Sequence, residues 1–180
     1  MEPVVSGFSE YFGREPTVVA RAPGRLEILG NHTDYNEGVV LSVAVDRATW
    51  FAAAPLEGTE CVVHDLRDGS TRTFALDALA NPEAGDWANY VKGVVVELQS
   101  RGFAVPAFEA TILSTIPMSA GMSSSAALEI ATAYALGRLA NANLPWLEWA
   151  KIGQACENDY VGARTGLMDQ FSSIKGRPNQ

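Results

Sequence analysis

Cysteine and histidine are scarce in this sequence, and their scarcity excludes two classes of protein. Two cysteines, Cys61 and Cys156, are too few for a disulfide-stabilised scaffold. Together with the two histidines, His32 and His64, they form no zinc-binding pattern. We therefore expect neither a small secreted scaffold nor a zinc protein.

Basic charge is also low, because 13 Lys and Arg residues stand against 21 Asp and Glu residues. The formal net charge of −8 argues against a nucleic-acid partner, which requires a basic surface. An anionic ligand would need a local positive pocket.

Long apolar runs are missing, so the sequence predicts no membrane-spanning helix and no membrane partner. The first residues, Met-Glu-Pro-Val-Val, lack the basic start and apolar centre of a signal peptide. With so few cysteines, this predicts a cytoplasmic protein.

The 180 residues, 47% of them hydrophobic, predict one domain with a sizeable core. Strands are predicted at 17–22, 39–46, 48–54, 61–65, 71–76 and 108–114, and helices at 6–12, 87–101, 126–139 and 145–160. We expect 39–46 to pair with 48–54, and 61–65 with 71–76 across the turn signal Asp68-Gly69. Strands followed by helices on one side of the sheet favour an α+β fold.

The stretch Pro117–Leu128, called the serine loop from here on, lies between a predicted strand and a predicted helix, and it places three serines behind Gly121. Such a loop lets backbone amides and the helix dipole converge on a phosphate. The hydroxyls of Ser123, Ser124 and Ser125 suit helix capping, phosphate binding or magnesium ligation. No Gly-Lys-Ser/Thr follows, so this is not a Walker motif, and it only partly matches a hydrolase nucleophile elbow. Three serines exceed what a cap needs and favour phosphate binding.

An early segment, residues 22–38, combines four glycine and proline residues with polar side chains that include Arg25, Asn31, His32 and Asp34. A loop of this composition suits recognition of a small hydroxylated molecule. A solvated turn is the alternative.

Two carboxylates and two other side chains are candidates for chemistry, each with a plainer alternative. Glu157 is a possible magnesium ligand or a solvated helix charge, and Asp169 is a reactive carboxylate or a helix N-cap. Arg25 suits neutralising Asp169 or a surface ion pair. Trp87 suits lining a flat pocket for adenine or belonging to the core.

Four segments resemble the galactokinases and the wider GHMP small-molecule kinases. Residues 24–38 (Gly-Arg-Leu-Glu-Ile-Leu-Gly-Asn-His-Thr-Asp-Tyr-Asn-Glu-Gly) resemble the galactokinase signature, and residues 117–128 resemble the GHMP phosphate loop. Residues 157–171 resemble the segment with the galactokinase catalytic aspartate, and residues 87–93 also match the pattern of these kinases. The four motifs occur in the family's order and cover nearly the whole chain.

The resemblance implies a GHMP kinase N-terminal domain, like domain 2 of ribosomal protein S5, with a mixed sheet packed on helices. It also implies phosphorylation of the C1 hydroxyl of galactose, or of a related monosaccharide, by ATP with Mg²⁺. In that reading Asp169 accepts the hydroxyl proton, Arg25 stabilises charge, and Ser125 and Glu157 bind the metal. The other implied contacts are Gly121, Ser123 and Ser124 to phosphates, Trp87 to adenine, and Asn31, His32, Asp34 and Gly166 to the sugar.

Two features depart from the family pattern. Asn31 stands where galactokinases carry a glutamate, which suggests altered sugar specificity. Residues 1–180 would form only the N-terminal domain, because galactokinases have a second domain that closes the cleft. We therefore expect an absent C-terminal domain, an exposed apolar face and little turnover from these residues alone.

Other functions remain open at this point. A sugar-responsive and ATP-responsive regulator would share the fold without needing Asp169, Arg25, Ser125 and Glu157 together. A non-functional truncated product is a further reading. Kinases of mevalonate, homoserine or inositol-type substrates would share the serine loop but not the sequence His32-Thr-Asp-Tyr35.

Overall fold

A five-stranded mixed sheet is the centre of the structure, a computed structural model that describes residues 1–30, 38–118 and 120–177. The strands are β1 (Val18–Leu29), β2 (Leu41–Pro55), β3 (Glu60–Asp65), β4 (Thr71–Ala75) and β5 (Phe108–Ser114). Their order across the sheet is β1-β2-β5-β3-β4. Among these described strands β3 and β5 pair in parallel and the other pairs are antiparallel, so the predicted mixed sheet is confirmed.

Five α-helices accompany the sheet in the described residues: α1 (Glu2–Phe12), α2 (Asn89–Ser100), α3 (Ser124–Leu139), α4 (Trp146–Ala155) and α5 (Met168–Lys175). The helix predicted over 145–160 is α4 followed directly by a π-helix, Cys156–Val161. The helix α5 was not predicted. Within the described part of the chain, no helix has the length and apolarity needed to cross a membrane.

Helices lie on both faces of the sheet, which corrects the prediction of a one-sided arrangement. Phe51 and Ala53 of β2 belong to the main core with α2 and α3. Ala52 and Ala54 point the other way and pack against Val4 and Phe8 of α1. Side chains alternate between the faces of a strand, so the apolar run in β2 serves both layers.

The predicted pairing of 39–46 with 48–54 is wrong, because both belong to the single strand β2. Asp46 and Arg47 lie within this strand, and neither position supplies the glycine that two-residue hairpin turns favour. β2 pairs instead with β1 on one side and β5 on the other. The hairpin of β3 and β4 is confirmed.

Residues 22–29, predicted as part of a loop, continue β1 along the edge of the sheet. An edge strand tolerates Pro23, since one side of it makes no ladder hydrogen bonds. The pairing shifts register between Pro23 and Arg25, and this irregularity lies beside the serine loop. Asn31, His32 and Asp34 lie outside the described residues.

Candidate active site

The start of the serine loop is held against β1. The backbone N–H of Arg25 donates to the carbonyl of Met122 at 3.1 Å. A Cβ atom on Gly24 would lie 2.6 Å from the same oxygen, so only glycine allows this close approach. The edge strand thereby fixes the loop in front of α3.

Ser123 precedes α3 in a left-handed conformation, with φ of 49°, which is uncommon for a residue other than glycine. Its side chain makes no capping hydrogen bond to the helix. The hydroxyl instead donates to Oδ2 of Asp169. Uncommon backbone geometry of this kind concentrates at functional sites.

The carboxylate of Asp169 lies between Ser123 and Arg25. The Nε atom of Arg25 is 2.6 Å from Oδ1 of Asp169, and Nη1 donates to the carbonyl of Gly121 at 2.6 Å. The two side chains are only 12% and 15% exposed, so the surface ion-pair alternative for Arg25 is wrong. Asp169 lies in the first turn of α5 after the cap residue Leu167, so the N-cap alternative is wrong as well.

Glu157 forms a second carboxylate site on the other side of the same loop. It is 5% exposed, which rules out a solvated helix charge. Its Oε1 accepts from the hydroxyl of Ser125 at 2.8 Å. Its Oε2 accepts from Thr165 at 3.1 Å and from Gln170 at 3.0 Å.

The oxygens of Ser125 and Glu157 fit a magnesium ion. Adjacent ligands of an octahedral Mg²⁺ ion, at about 2.0–2.1 Å from the metal, are about 2.9 Å apart. Oγ and Oε1 are 2.8 Å apart because they share a hydrogen bond, and an ion that replaced the shared proton would find them already at this spacing. Among the residues that the structure describes, no three His, Cys, Asp or Glu side chains cluster as a metal site. Substrate phosphates and water would have to supply the remaining ligands, as is common for Mg²⁺.

A cavity of about 260 Å³ opens beside the serine loop. Its lining includes the hydroxyls of Ser124 and Ser125, the aromatic rings of Trp87 and Tyr90, and the guanidinium of Arg67. The indole N–H of Trp87 donates to the hydroxyl of Ser70 at 3.2 Å, which fixes the ring at the edge of the core. A cavity that combines hydroxyls with flat aromatic surfaces suits a nucleotide.

The structure thus brings two groups of predicted residues together. Arg25, Gly121, Ser123 and Asp169 are linked on one side of the loop, and Ser125 is linked to Glu157 on the other. Gly166 is buried in the segment between the π-helix and α5. The three sugar-site predictions at 31, 32 and 34 lie outside the described residues.

Sequence reasoning missed three residues near Glu157. Thr165 and Gln170 donate hydrogen bonds to it, and Glu129 accepts one from Gln170. Glu129 is fully buried on α3, and Gln170 is fully buried on α5. Burial raises the pKa of Glu129 well above its ordinary value, and the charges of Glu157 and Asp169 raise it further. A carboxylate among the apolar residues of the predicted helix 126–139 was the signal that could have identified Glu129.

Two family models match the sequence. The galactokinase galactose-binding signature matches residues 6–55, and the GHMP kinases N terminal domain matches residues 89–177. The first contains Arg25, and the second contains the serine loop, Glu157 and Asp169.

Curated relatives share about two fifths of their aligned residues with this chain. The galactokinase of Chloroflexus aurantiacus is 39% identical over 171 residues, which are 95% of this chain and 44% of that protein. The galactokinase of a Roseiflexus species is 41% identical over 174 residues, which are 94% of this chain and 43% of that protein. The chain therefore spans less than half the length of these relatives.

Solved structures confirm the fold. Lactococcus lactis galactokinase complexed with galactose superposes with a TM-score of 0.87 at 35% identity, covering 96% of this chain and 46% of that one. Methanococcus jannaschii mevalonate kinase superposes with a TM-score of 0.77 at 22% identity, covering 87% and 50%. The second similarity concerns the fold alone.

Proposed function

We propose that this chain, which belongs to the GHMP kinases by its N-terminal domain and carries the galactokinase galactose-binding signature, is part of an ATP-dependent sugar 1-kinase. Its acceptor is the C1 hydroxyl of galactose or of a closely related monosaccharide. The protein acts in carbohydrate metabolism in the cytoplasm, a compartment that suits its two buried free thiols, Cys61 and Cys156.

One observation carries this proposal: the serine loop joins two carboxylates with different surroundings. Ser123 contacts Asp169, which is paired with Arg25. Ser125 contacts Glu157, which is paired with no cation among the residues described. A kinase needs both arrangements, one at the acceptor hydroxyl and one at the metal-bound phosphates.

Asp169 is the residue that we propose accepts the proton of the sugar hydroxyl as its oxygen attacks the γ-phosphate of ATP. Arg25 holds the carboxylate in place and, from the same position, stabilises the charge on the phosphoryl group in transfer. The transition state of phosphoryl transfer is loose, so positioning contributes more than activation of the nucleophile.

Ser125 and Glu157 are the residues that we propose hold Mg²⁺, which when bound neutralises charge on the β- and γ-phosphates. Backbone and hydroxyl groups at Gly121, Ser123 and Ser124 bind phosphate oxygens at the start of α3, where the helix dipole is positive. Trp87 flanks the adenine in the 260 Å³ cavity.

The sugar site is proposed to include Arg25, Asp169, Gly166 and the three polar residues of the early segment, Asn31, His32 and Asp34. Asn31 both donates and accepts hydrogen bonds, whereas the glutamate of the resembling kinases only accepts. This difference supports a specificity that differs from that of plain galactokinases, for example toward a modified galactose or a uronic acid.

A second domain is part of the proposal, because the curated relatives are more than twice as long as their matched regions. We propose that it packs on residues 1–180 and completes the site. Large apolar residues are exposed at the C-terminal end of β1 and at the N-terminal end of β2, and they suit such a contact. They include Ile28, Leu29, Leu41 and Val43. Residues 1–180 alone should turn over ATP poorly.

Phosphoryl transfer by the whole protein tests the proposal. ADP release should be measured with Mg-ATP and a panel that contains galactose, its epimers, its amino and acetamido derivatives and galacturonic acid. Activity with at least one galactose-configured sugar supports a kinase. Ligand binding without ADP release on any sugar would contradict it and favour the regulator.

A further inference from the structure

Gln170 is fully buried between the carboxyl groups of Glu157 and Glu129. Its amide nitrogen donates to Oε2 of Glu157 at 3.0 Å and to Oε2 of Glu129 at 3.0 Å. Both hydrogens of the amide are therefore used. One side chain of α5 thus links α3, which contains Ser125, to the π-helix, which contains Glu157.

We propose that Gln170 is a positioning residue for the metal site, with Glu129 as its anchor. It holds the carboxylate of Glu157 so that one oxygen faces Ser125, where a divalent cation would bind. This inference rests on the proposed function, since it assigns a role toward the Mg²⁺ that accompanies ATP.

The hydrogen bonds of Glu157 divide between its two oxygens in the way that this role requires. Thr165 and Gln170 both donate to Oε2, and this leaves Oε1 directed at the hydroxyl of Ser125. A carboxylate held by two donors on one oxygen cannot rotate without breaking both bonds. Partners of this kind orient metal ligands and raise metal affinity.

Glu129 restrains the amide of Gln170 from the opposite side. Glu129 and Ser125 both lie on α3. The series of hydrogen bonds from Glu129 through Gln170 and Glu157 to Ser125 therefore begins and ends on one rigid helix. Gly153 of α4 leaves no spare room, because a Cβ atom there would lie 2.8 Å from Cγ of Gln170 and 3.2 Å from Oε2 of Glu129. The amide is therefore held by packing as well as by hydrogen bonds.

Gln170 also follows Asp169 directly on α5. Asp169 turns toward Arg25 and Ser123, while Gln170 turns inward to Glu157. The first turn of α5 therefore carries Asp169, the carboxylate proposed for the acceptor. Through the amide of Gln170 it also positions Glu157, the carboxylate proposed for the metal. A change at Gln170 should consequently affect the metal more than the sugar.

The test uses the whole protein and Mn²⁺ as a paramagnetic probe, titrated in the presence of a non-hydrolysable ATP analogue and followed by electron paramagnetic resonance. Gln170→Met keeps the volume and removes both donors. We expect it to weaken Mn²⁺ binding by about 10-fold to 100-fold, the range typical for partners of metal ligands. The Mg²⁺ concentration for half-maximal activity should rise in parallel, while the KM of the sugar stays unchanged.

Thr132→Val is the matched control. Thr132 is buried on α3, the helix of Ser125 and Glu129, and its hydroxyl has no partner in the described part of the chain. It should leave Mn²⁺ binding unchanged. Glu129→Gln keeps an acceptor for the amide and should bind Mn²⁺ nearly as well as the wild type. Glu129→Leu removes that acceptor and should weaken binding as Gln170→Met does.

The results distinguish a failure of the proposed function from a failure of the positioning role alone. Wild-type protein that binds no Mn²⁺ with the nucleotide would overturn the proposed function and the positioning role with it. Wild-type binding that Gln170→Met leaves unchanged would overturn the positioning role alone. If Gln170→Met lowers the melting temperature so far that it cannot be titrated, the comparison of Glu129→Leu with Glu129→Gln decides, and equal Mn²⁺ affinities would contradict the proposal.

Discussion

Arg25 and Asp169 are in direct contact, with Nε of the arginine 2.6 Å from Oδ1 of the aspartate, although they are 144 positions apart in the sequence. Arg25 belongs to the edge strand β1, and Asp169 belongs to the first turn of α5. The same guanidinium also holds the carbonyl of Gly121 in the serine loop. One side chain therefore connects three of the four segments that resemble kinase motifs.

Replacing Asp169 with asparagine should abolish phosphoryl transfer. The amide keeps the shape but cannot accept the hydroxyl proton, and general-base groups contribute about 10²-fold to 10⁴-fold. We expect kcat to fall at least about 100-fold, while an ATP analogue binds as before in calorimetry. Asp159→Asn, an exposed position in the π-helix, is the control and should keep full activity. An Asp169→Asn variant with more than half of the wild-type kcat would exclude this role.

Arg25→Lys should lower kcat although the positive charge is kept. Arginine reaches Asp169 and Gly121 at once with different nitrogens, and lysine has a single nitrogen to offer. We expect a loss of about 100-fold, the scale for one lost stabilising donor. The control is Arg21→Lys on the same strand, whose exposed guanidinium donates to the carbonyl of Asp46 and lies over the ring of Trp50, away from Asp169 and Gly121. Equal losses in steady-state kinetics for the two variants would contradict the role of Arg25.

The stability of the protein should fall as the pH rises, because of Glu129. Burial, with the charges of Glu157 and Asp169, raises its pKa in the folded state well above the ordinary value of 4.5. Between these two pKa values the folded state holds a proton that the unfolded state has lost. Stability contributed below pH 4.5 is therefore lost progressively as the pH rises from 4.5 toward the raised pKa of the folded state.

Glu129→Gln should remove this contribution to the pH dependence. Urea unfolding between pH 5 and about pH 8 should show the variant gaining stability relative to the wild type as the pH increases. Glu148→Gln, at a partly exposed surface pair with Lys151, should run parallel to the wild type. A difference between wild type and Glu129→Gln that stays constant with pH would show that Glu129 is ionised in the folded protein.

Asn31→Glu should raise kcat/KM for galactose. A hydrogen bond to a charged group exceeds one between neutral groups by about 1 kcal/mol, which corresponds to about fivefold. The sugar panel should be repeated with this variant and with Asn81→Glu, an exposed loop position, as the control. If the wild type already prefers galactose to every related sugar, the specificity hypothesis for Asn31 is wrong.

The serine loop and its neighbours could be predicted because their signals are local. The strand at 108–114 and the helix up to Leu139 follow from alternation and alanine content, and the structure confirms both. The continuity of β2 could not be predicted in this way, since its apolar residues serve two layers and carry no single period. Its pairing with β1 depends on contacts distant in sequence.

The candidate site shows the same division. Its residues were identified by type and by resemblance, but the sequence left each open to a plainer role. The burial of each side chain and the direction in which it points distinguish the site role from the plainer role. Glu157 is enclosed, and Asp169 faces Arg25 and not the end of its own helix. Gln170 was missed because a buried glutamine has no sequence pattern of its own, and its role depends on two partners from other elements.

The central claim is that the protein transfers the γ-phosphate of ATP to the C1 hydroxyl of a galactose-configured sugar, with Asp169 at the acceptor. Phosphorus NMR of the whole protein with Mg-ATP and the best sugar of the panel tests it most directly. The account predicts a sugar 1-phosphate signal that grows in step with ADP, with its phosphorus coupled to the anomeric proton, and no such signal from Asp169→Asn. Phosphate on another hydroxyl, or release of ADP with inorganic phosphate alone, would contradict it.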